Sequence, residues 1–304
     1  RCHYPVEFMA ALLTSVLGNT NKISEYSYAC KKLGIKILPP DINYGEGAFS
    51  VDHGNIRYGL TAIKSLGRPV IEAIIRERNL NGPYRDFKDL VERLSSKEIN
   101  KRTVENLIKS GALDCFHVTR KQQMIVYASV IDSIQKERKN EIAGQMSLMD
   151  LLGEEDQQSF QISYPDVGEY EKEQKLAMEK EVLGIYVSGH PLEDDIERLE
   201  RSVTAHTSDF VIDEETGKTK IHDRESCIIG GLISEMSVKL TKKNQNMAFI
   251  TLEDLRGTVE VVVFPRQYAT YQSLLREDAK VFIKGTTQIS EEESKVICNQ
   301  IISF

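Results

Sequence analysis

Apolar residues recur every three or four positions over the first part of the chain, a spacing typical of helices that pack against a core. The spacing predicts one helix over residues 6–17 and a second over 23–33, separated by Gly18-Asn19. Pro39-Pro40 then forces the chain into an extended stretch, because proline restricts both its own backbone and that of the residue before it. Short apolar segments on either side of His53-Gly54 predict a small hairpin.

Helical spacing returns between residues 60 and 140, in shorter runs that glycine interrupts. Asn100 and Thr119 stand where a side chain can cap the start of a helix. The pattern predicts five helices, over residues 60–66, 69–80, 87–94, 101–110 and 120–140. A further helical stretch is predicted over residues 168–201.

From Glu225 onward the apolar period changes from 3.6 to 2, which indicates strands. Five strands are predicted, over residues 227–233, 247–252, 258–264, 280–284 and 295–301, with a helix over 268–276 after the third. This order of elements is that of an OB barrel. The predicted fold class is therefore a multidomain protein with an α-helical part followed by an all-β part.

Two glycine-centred turns between short helices are the first candidate site. Such a turn lets the backbone approach a ligand, and the helix that follows offers N–H groups to a phosphate. Two turns can hold both strands of a duplex without reading its sequence. The alternative is that the glycines only end helices. The candidate duplex-binding residues are Lys64, Ser65, Gly67 and Arg68 in the first turn, and Lys109, Ser110 and Gly111 in the second.

The distribution of charge favours nucleic acid as the ligand of this part of the chain. The whole chain carries a net charge of −7, but residues 55–140 hold 17 Lys and Arg against 10 Asp and Glu. Residues 141–224 hold 8 against 21. A basic module followed by an acidic one can bind a polyanion through the first and keep the second off it.

One apolar run interrupts the polar segment 141–164. It consists of Gln145, Met146, Ser147, Leu148 and Met149, with Leu151 and Leu152 close behind. A short peptide with one amide and a few apolar anchors suits a hydrophobic pocket on a partner protein. The alternative is a short helix packed on the neighbouring domain.

The barrel is a second candidate site for nucleic acid, since OB barrels bind single strands through cationic and aromatic side chains. The alternative for the two phenylalanines is a place in the barrel core. The candidate residues are Lys239, Lys242, Lys243, Phe249, Arg256 and Phe264.

No catalytic or metal-binding residue is predicted. The five cysteines are far apart and lack the Cys-x-x-Cys spacing of zinc sites, so free thiols are expected. Asp194-Asp195 is typical of a solvated surface, and no nucleophile elbow or phosphate-binding glycine loop is present. No apolar run is long enough to span a membrane. Because the chain starts with Arg1 and shows no signal peptide, we expect it to be part of a longer protein.

Several segments, in one order along nearly the whole chain, resemble the DnaE-type family of bacterial replicative DNA polymerases. They are Tyr4–Leu13, Ile37–Asn43, Tyr58–Lys64, Gly111–Asp114 and Leu183–Leu192. The resemblance implies a layout of five segments. These are the end of the fingers domain at 1–50, a tandem helix-hairpin-helix domain at 51–140, a clamp-binding linker at 141–164, a helical and acidic connector at 165–224, and an OB domain at 225–304.

The resemblance also implies partners and a location. Gln145–Met149 would dock on the sliding clamp, although Met149 stands where the family has an aromatic residue. Duplex DNA would be held behind the active site, and single-stranded DNA or other replisome subunits would meet the barrel. The family's catalytic aspartates and their magnesium belong to a palm domain upstream, so we expect no cofactor and no polymerase activity here. The location implied is the bacterial cytoplasm, at the nucleoid.

Two alternatives remain open from the residues alone. OB domains also occur as anticodon-binding parts of aminoacyl-tRNA synthetases, so an enzyme of RNA metabolism is one. A scaffold that contacts no nucleic acid is the other, and the charge distribution argues against it.

Overall fold

The computed structural model describes residues 4–94, 99–142, 162–212, 218–290 and 293–304. The chain divides into two compact units, Arg1–Ser188 and Gly189–Phe304. The predicted segments 1–50 and 51–140 therefore lie in one unit, and the predicted connector 165–224 is divided between the two.

The first unit is mainly helical. Its helices are α1 (Pro5–Ser15), α2 (Thr20–Lys32), α3 (Arg68–Asn81), α4 (Phe87–Arg93), α5 (Lys101–Lys109), α6 (Arg120–Ile142) and α7 (Lys172–Leu183). A small sheet has the order β1 (Ile37–Leu38), β3 (Asn55–Arg57) and β2 (Ser50–Asp52). β3 runs parallel to β1 and antiparallel to β2, which confirms the predicted hairpin.

Side-chain caps explain where several of these helices begin. The side chains of Asn19, Asp86 and Asn100 each accept a hydrogen bond from the backbone N–H three residues on, at 2.8–3.1 Å. Thr119 Oγ1 accepts from the Gln122 N–H at 3.2 Å at the start of α6. Each cap satisfies an N–H that has no partner within its helix. The predicted caps at Asn100 and Thr119 are confirmed.

One buried cluster holds the first unit together from end to end. It joins side chains of α1, the small sheet, α3 to α6, and the segment after α7, including Leu13, Ile56, Phe87, Leu107, Ile131 and Leu183. Tyr58 donates through its hydroxyl to the Leu183 carbonyl at 3.1 Å, deep inside this cluster. Residues 162–187 are therefore part of the same core as the helices that precede them.

Two helix predictions were wrong. The helix expected over 60–66 is only a single 3₁₀ turn at Leu60–Ala62, because Ser65 has the left-handed backbone angle φ of 62° and cannot continue a right-handed helix. The stretch expected over 168–201 is two helices, α7 and α8 (Ile196–Ser202), of which α8 belongs to the second unit.

The second unit is a closed barrel of five strands. They are β4 (Ser226–Leu240), β5 (Asn246–Glu253), β6 (Thr258–Val263), β7 (Lys280–Ile289) and β8 (Ser294–Ser303), with α9 (Pro265–Tyr271) between β6 and β7. The order around the barrel is β4-β5-β6-β8-β7, closed by pairing of β4 with β7. The predicted OB order is confirmed.

β4 is longer than predicted because it takes part in two faces of the barrel. Its first half pairs with β7 and its second half with β5, and the register shifts between Ile233 and Glu235. Gly231 allows the close approach at the bend, since a Cβ there would lie 2.4 Å from the Glu253 carbonyl oxygen. A bulge and a glycine are the usual means of bending a strand. No helix in the described part of the chain is long and apolar enough to cross a membrane.

Candidate nucleic-acid interface

The first predicted turn presents three exposed polar side chains at the start of α3. Lys64, Ser65 and Arg68 are all exposed. Gly67 caps the helix in an extended conformation, φ −71° and ψ 146°, so it is Ser65 that makes the tight turn. The start of α3 carries partial positive charge, to which the two cations add.

Helix α5 holds this turn in place through two hydrogen bonds. Arg102 Nη2 donates to Ser65 Oγ at 3.2 Å, and Asn106 Nδ2 donates to the Lys64 carbonyl at 2.9 Å. Residues 102 and 106 are one helical turn apart and so share a face of α5. The contact places Arg102 beside the first turn, although the sequence gave no sign that this residue belongs to the site.

A groove forms where the first turn, α5 and α7 meet. Its charged lining residues are the cations Lys64, Lys101, Arg102 and Lys109 and the acids Glu105 and Glu181. We call this surface the cationic groove. Lys101 is also bound to Asp132 at 2.7 Å. The groove thus gathers cations from both predicted turns and from the start of α5.

The second predicted turn is engaged within the protein. Lys109 Nζ lies 2.9 Å from an oxygen of Glu105 and 2.9 Å from an oxygen of Glu181. Ser110 is fully buried and donates through its hydroxyl to the Leu107 carbonyl. Gly111 has φ of 81°, so both the predicted helix end and the role in a tight turn are seen here. Contact of these residues with DNA stays a prediction.

The helix that follows the second turn does not offer free N–H groups. The backbone N–H groups of Arg120 and Lys121, at the start of α6, donate to the two carboxylate oxygens of Glu169 at 3.2 and 3.3 Å. Burial opposes the charge on Glu169, but these N–H groups and that of Tyr170 outweigh it and lower the pKa of the carboxyl. A carboxylate of the chain itself therefore fills the place where a phosphate was expected.

A buried ion pair behind the second turn was missed by sequence reasoning. Arg120 donates to Glu179 at 3.0 Å and forks onto Asp114 at 2.8 and 3.0 Å. Both Arg120 and Glu179 are buried, and the other oxygen of Glu179 accepts from the N–H groups of Val187 and Ser188. No spacing rule joins residues 59 positions apart. The pair fixes the second turn against α7.

The barrel residues fall into two groups. Lys239 Nζ lies 4.8 Å from the centre of the Phe249 ring, and Lys242 and Lys243 are exposed in the turn between β4 and β5. Phe264 is 45% exposed at the end of β6 nearest this turn. Neither phenylalanine belongs to the barrel core. Arg256 lies at the other end of β5, bound to Glu200 at 2.7 Å.

The apolar run Gln145–Met149 lies outside the described residues. Among the residues that the structure does describe, no group of three or more His, Cys, Asp or Glu side chains is placed to hold a metal ion. Cys30, Cys115, Cys227 and Cys298 are free thiols.

Two family models match the two units. Residues 34–123 match a model described as a helix-hairpin-helix motif, and residues 228–303 match one described as an OB-fold nucleic acid binding domain. The barrel also resembles yeast mitochondrial single-stranded DNA binding protein Rim1, at 14% identity and a TM-score of 0.23 over 27% of this chain and 96% of that one. That score is too low to add to the fold already described. The fold and the models together define a helix-hairpin-helix and OB-fold protein.

Curated relatives then identify the family. The chain is 36% identical to DNA polymerase III subunit alpha of Bacillus subtilis, over 99% of this chain and 26% of the relative. It is 35% identical to that of Escherichia coli, over 96% and 24%, and 33% identical to that of Mycobacterium tuberculosis, over 99% and 25%. The chain belongs to the DNA polymerase III alpha-subunit family. It spans about a quarter of the length of the curated relatives it matches.

Proposed function

We propose that the first unit holds duplex DNA by its phosphates, through the exposed first turn and the start of α5. The observation that carries the proposal is the hydrogen bond from Arg102 to Ser65, which brings a third cation beside Lys64 and Arg68. Phosphate contacts position a protein on DNA without reading sequence. The first turn is the better of the two for this role, since the groups of the second are bound to carboxylates of the chain.

Salt-dependent binding to a duplex of random sequence tests this proposal. Each phosphate neutralised contributes a slope of about 0.9 to the fall of log affinity with log salt. Lys64→Ala combined with Arg68→Ala should weaken binding and reduce the slope by about 1.8. Lys31→Ala is the control, because Lys31 is exposed on α2, away from the residues that line the groove. Equal losses in both proteins would contradict the assignment to the first turn.

We propose that the barrel binds single-stranded template on the face that carries Lys239 and Phe249. Cation and ring already lie together there, and base stacking on an aromatic contributes about 1–3 kcal/mol. Phe249→Leu keeps an apolar side chain and removes the ring, so it should weaken oligonucleotide binding by at least about fivefold. Arg256→Ala, at the other end of β5, is the control. Unchanged binding by the Phe249 variant would favour replisome proteins as the partner of this face.

We propose that Gln145–Met149 tethers the protein to the sliding clamp. Support comes from the apolar run in a polar segment and from the family to which the chain belongs. Tethering raises the local concentration of polymerase at the primer end without any new contact at the active site. Gln145→Ala with Leu148→Ala should abolish binding to the cognate clamp, whereas Gln157→Ala with Gln158→Ala should not. Retained binding in the first variant would place the clamp contact elsewhere.

We propose that the whole protein carries out template-directed DNA synthesis and that this chain alone does not. The relatives that it matches are four times longer, and the resemblance places the magnesium-binding aspartates of the palm upstream. The family favours this activity over the alternative of an RNA-metabolism enzyme, and it carries with it a location in the bacterial cytoplasm, at the nucleoid. A primer-extension assay with magnesium is the test, and extension by this chain alone would refute its inactivity.

A further inference from the structure

Opposite charges share the cationic groove. The cations at its rim, Lys64 and Arg102, are exposed, and Lys109 lies deeper with 15% of its side chain exposed. Two carboxylates bind that one ammonium group, so the deepest position of the groove holds more negative than positive charge. A phosphate that enters between Lys64, Arg102 and Lys109 must compete with these carboxylates.

The two carboxylates differ in how firmly they are placed. Glu105 is one helical turn before Lys109 on the same helix, and a pair of this spacing persists in any isolated helix. Glu181 comes from α7, 72 residues further along, and its side chain is 61% exposed. It places both oxygens on Lys109 Nζ, at 2.9 and 3.1 Å. Glu181 is therefore the acid that can leave the groove for water at low cost.

Lys109 remains charged throughout. Burial alone would lower the pKa of its ammonium group, but the hydrogen bonds to Glu105 and Glu181 outweigh it and raise the pKa. Removal of Glu181 from the pair leaves a cation that still has Glu105 on one side and is open on the other.

We propose that Glu181 occupies the position of a DNA phosphate in the cationic groove, so that it sets how tightly the groove binds a duplex. The inference rests on the proposed duplex-binding function. A phosphate of the duplex replaces the Glu181 carboxylate on Lys109 and gains Lys64 and Arg102 as further partners, while Glu181 turns out to solvent. The second turn thus enters binding only through Lys109, once the internal carboxylate has moved.

The test compares Glu181→Gln with Glu173→Gln in duplex binding over a range of salt. Both glutamates are exposed on α7 and both changes remove one negative charge, but Glu173 lies eight residues, roughly 12 Å of helix, from Glu181. Glu181→Gln should bind about fivefold more tightly at low salt, the upper range for loss of one exposed ion pair. Its salt slope should steepen by about 0.9, because one more cation meets a phosphate. Glu173→Gln should change affinity less than twofold.

Each outcome bears on the inference. A gain in affinity and slope confined to Glu181→Gln supports it. If the two variants match each other while the original chain binds a duplex with a clear salt slope, the role of Glu181 is refuted and the proposed function stands. If no protein binds a duplex, both fail together.

Discussion

The buried pair of Arg120 and Glu179 makes the sharpest stability prediction. Glu179 is fully buried and accepts three hydrogen bonds, from Arg120 at 3.0 Å and from the backbone N–H groups of Val187 and Ser188 at 3.0 and 2.9 Å. Glu179→Ala leaves these donors without that partner in the interior. Breaking one side of a buried ion pair costs about 3–5 kcal/mol.

The double variant separates charge from packing. Arg120→Met and Glu179→Leu should each destabilise the first unit, but the two together should cost at least about 1 kcal/mol less than their sum. The reason is that an apolar pair of similar volume needs no desolvated partner. Glu173→Ala is the surface control and should stay within about 0.5 kcal/mol of the original chain.

Far-UV circular dichroism during urea unfolding is the assay. Seven of the nine described α-helices are in the first unit, so the helical signal reports mainly on it. Because the chain has two units, the transition must be fitted for the helical signal alone. A Glu179→Ala midpoint no lower than that of Glu173→Ala would refute the reasoning that this pair fixes the second turn against α7.

Three further predictions concern single groups. Gly111→Ala should cost about 2 kcal/mol, because φ is 81° and a Cβ would lie 2.3 Å from a buried guanidinium nitrogen, whereas Gly168→Ala, with no atom within 4 Å, should be neutral by the same unfolding assay. Since Glu169 has a lowered pKa when folded, its contribution is full above its ordinary pKa and is lost as pH falls through the folded value, so Glu169→Gln should flatten the fall in stability between about pH 5 and pH 3 in acid titrations. Burial raises the pKa of Cys30 to about 11 and of Cys298 to about 12, so iodoacetamide at neutral pH should label them only after denaturation, as mass spectrometry would show.

Much of the architecture was predictable because its signals are local. Asn100 and Thr119 cap the helices that follow them, and the change of period near residue 225 marks the barrel. Caps and apolar period act between residues a few positions apart, so they can be recognised in the sequence. The helix expected at 60–66 failed for a reason that is also local, since nothing in the residue type Ser65 announces a left-handed backbone.

The sequence by itself determined which elements form, where the basic module lies and which turns carry cations. Only the tertiary structure decided which of those cations face solvent. Arg102 reaches Ser65 across 37 residues, and Glu181 reaches Lys109 across 72. Such partners are selected by packing of a shared core, which brings α7 against α5, and charge counted along a chain does not show which carboxylate will neutralise which lysine. The two predicted turns look alike in sequence, and the fold leaves the first exposed and binds the second to the protein's own acids.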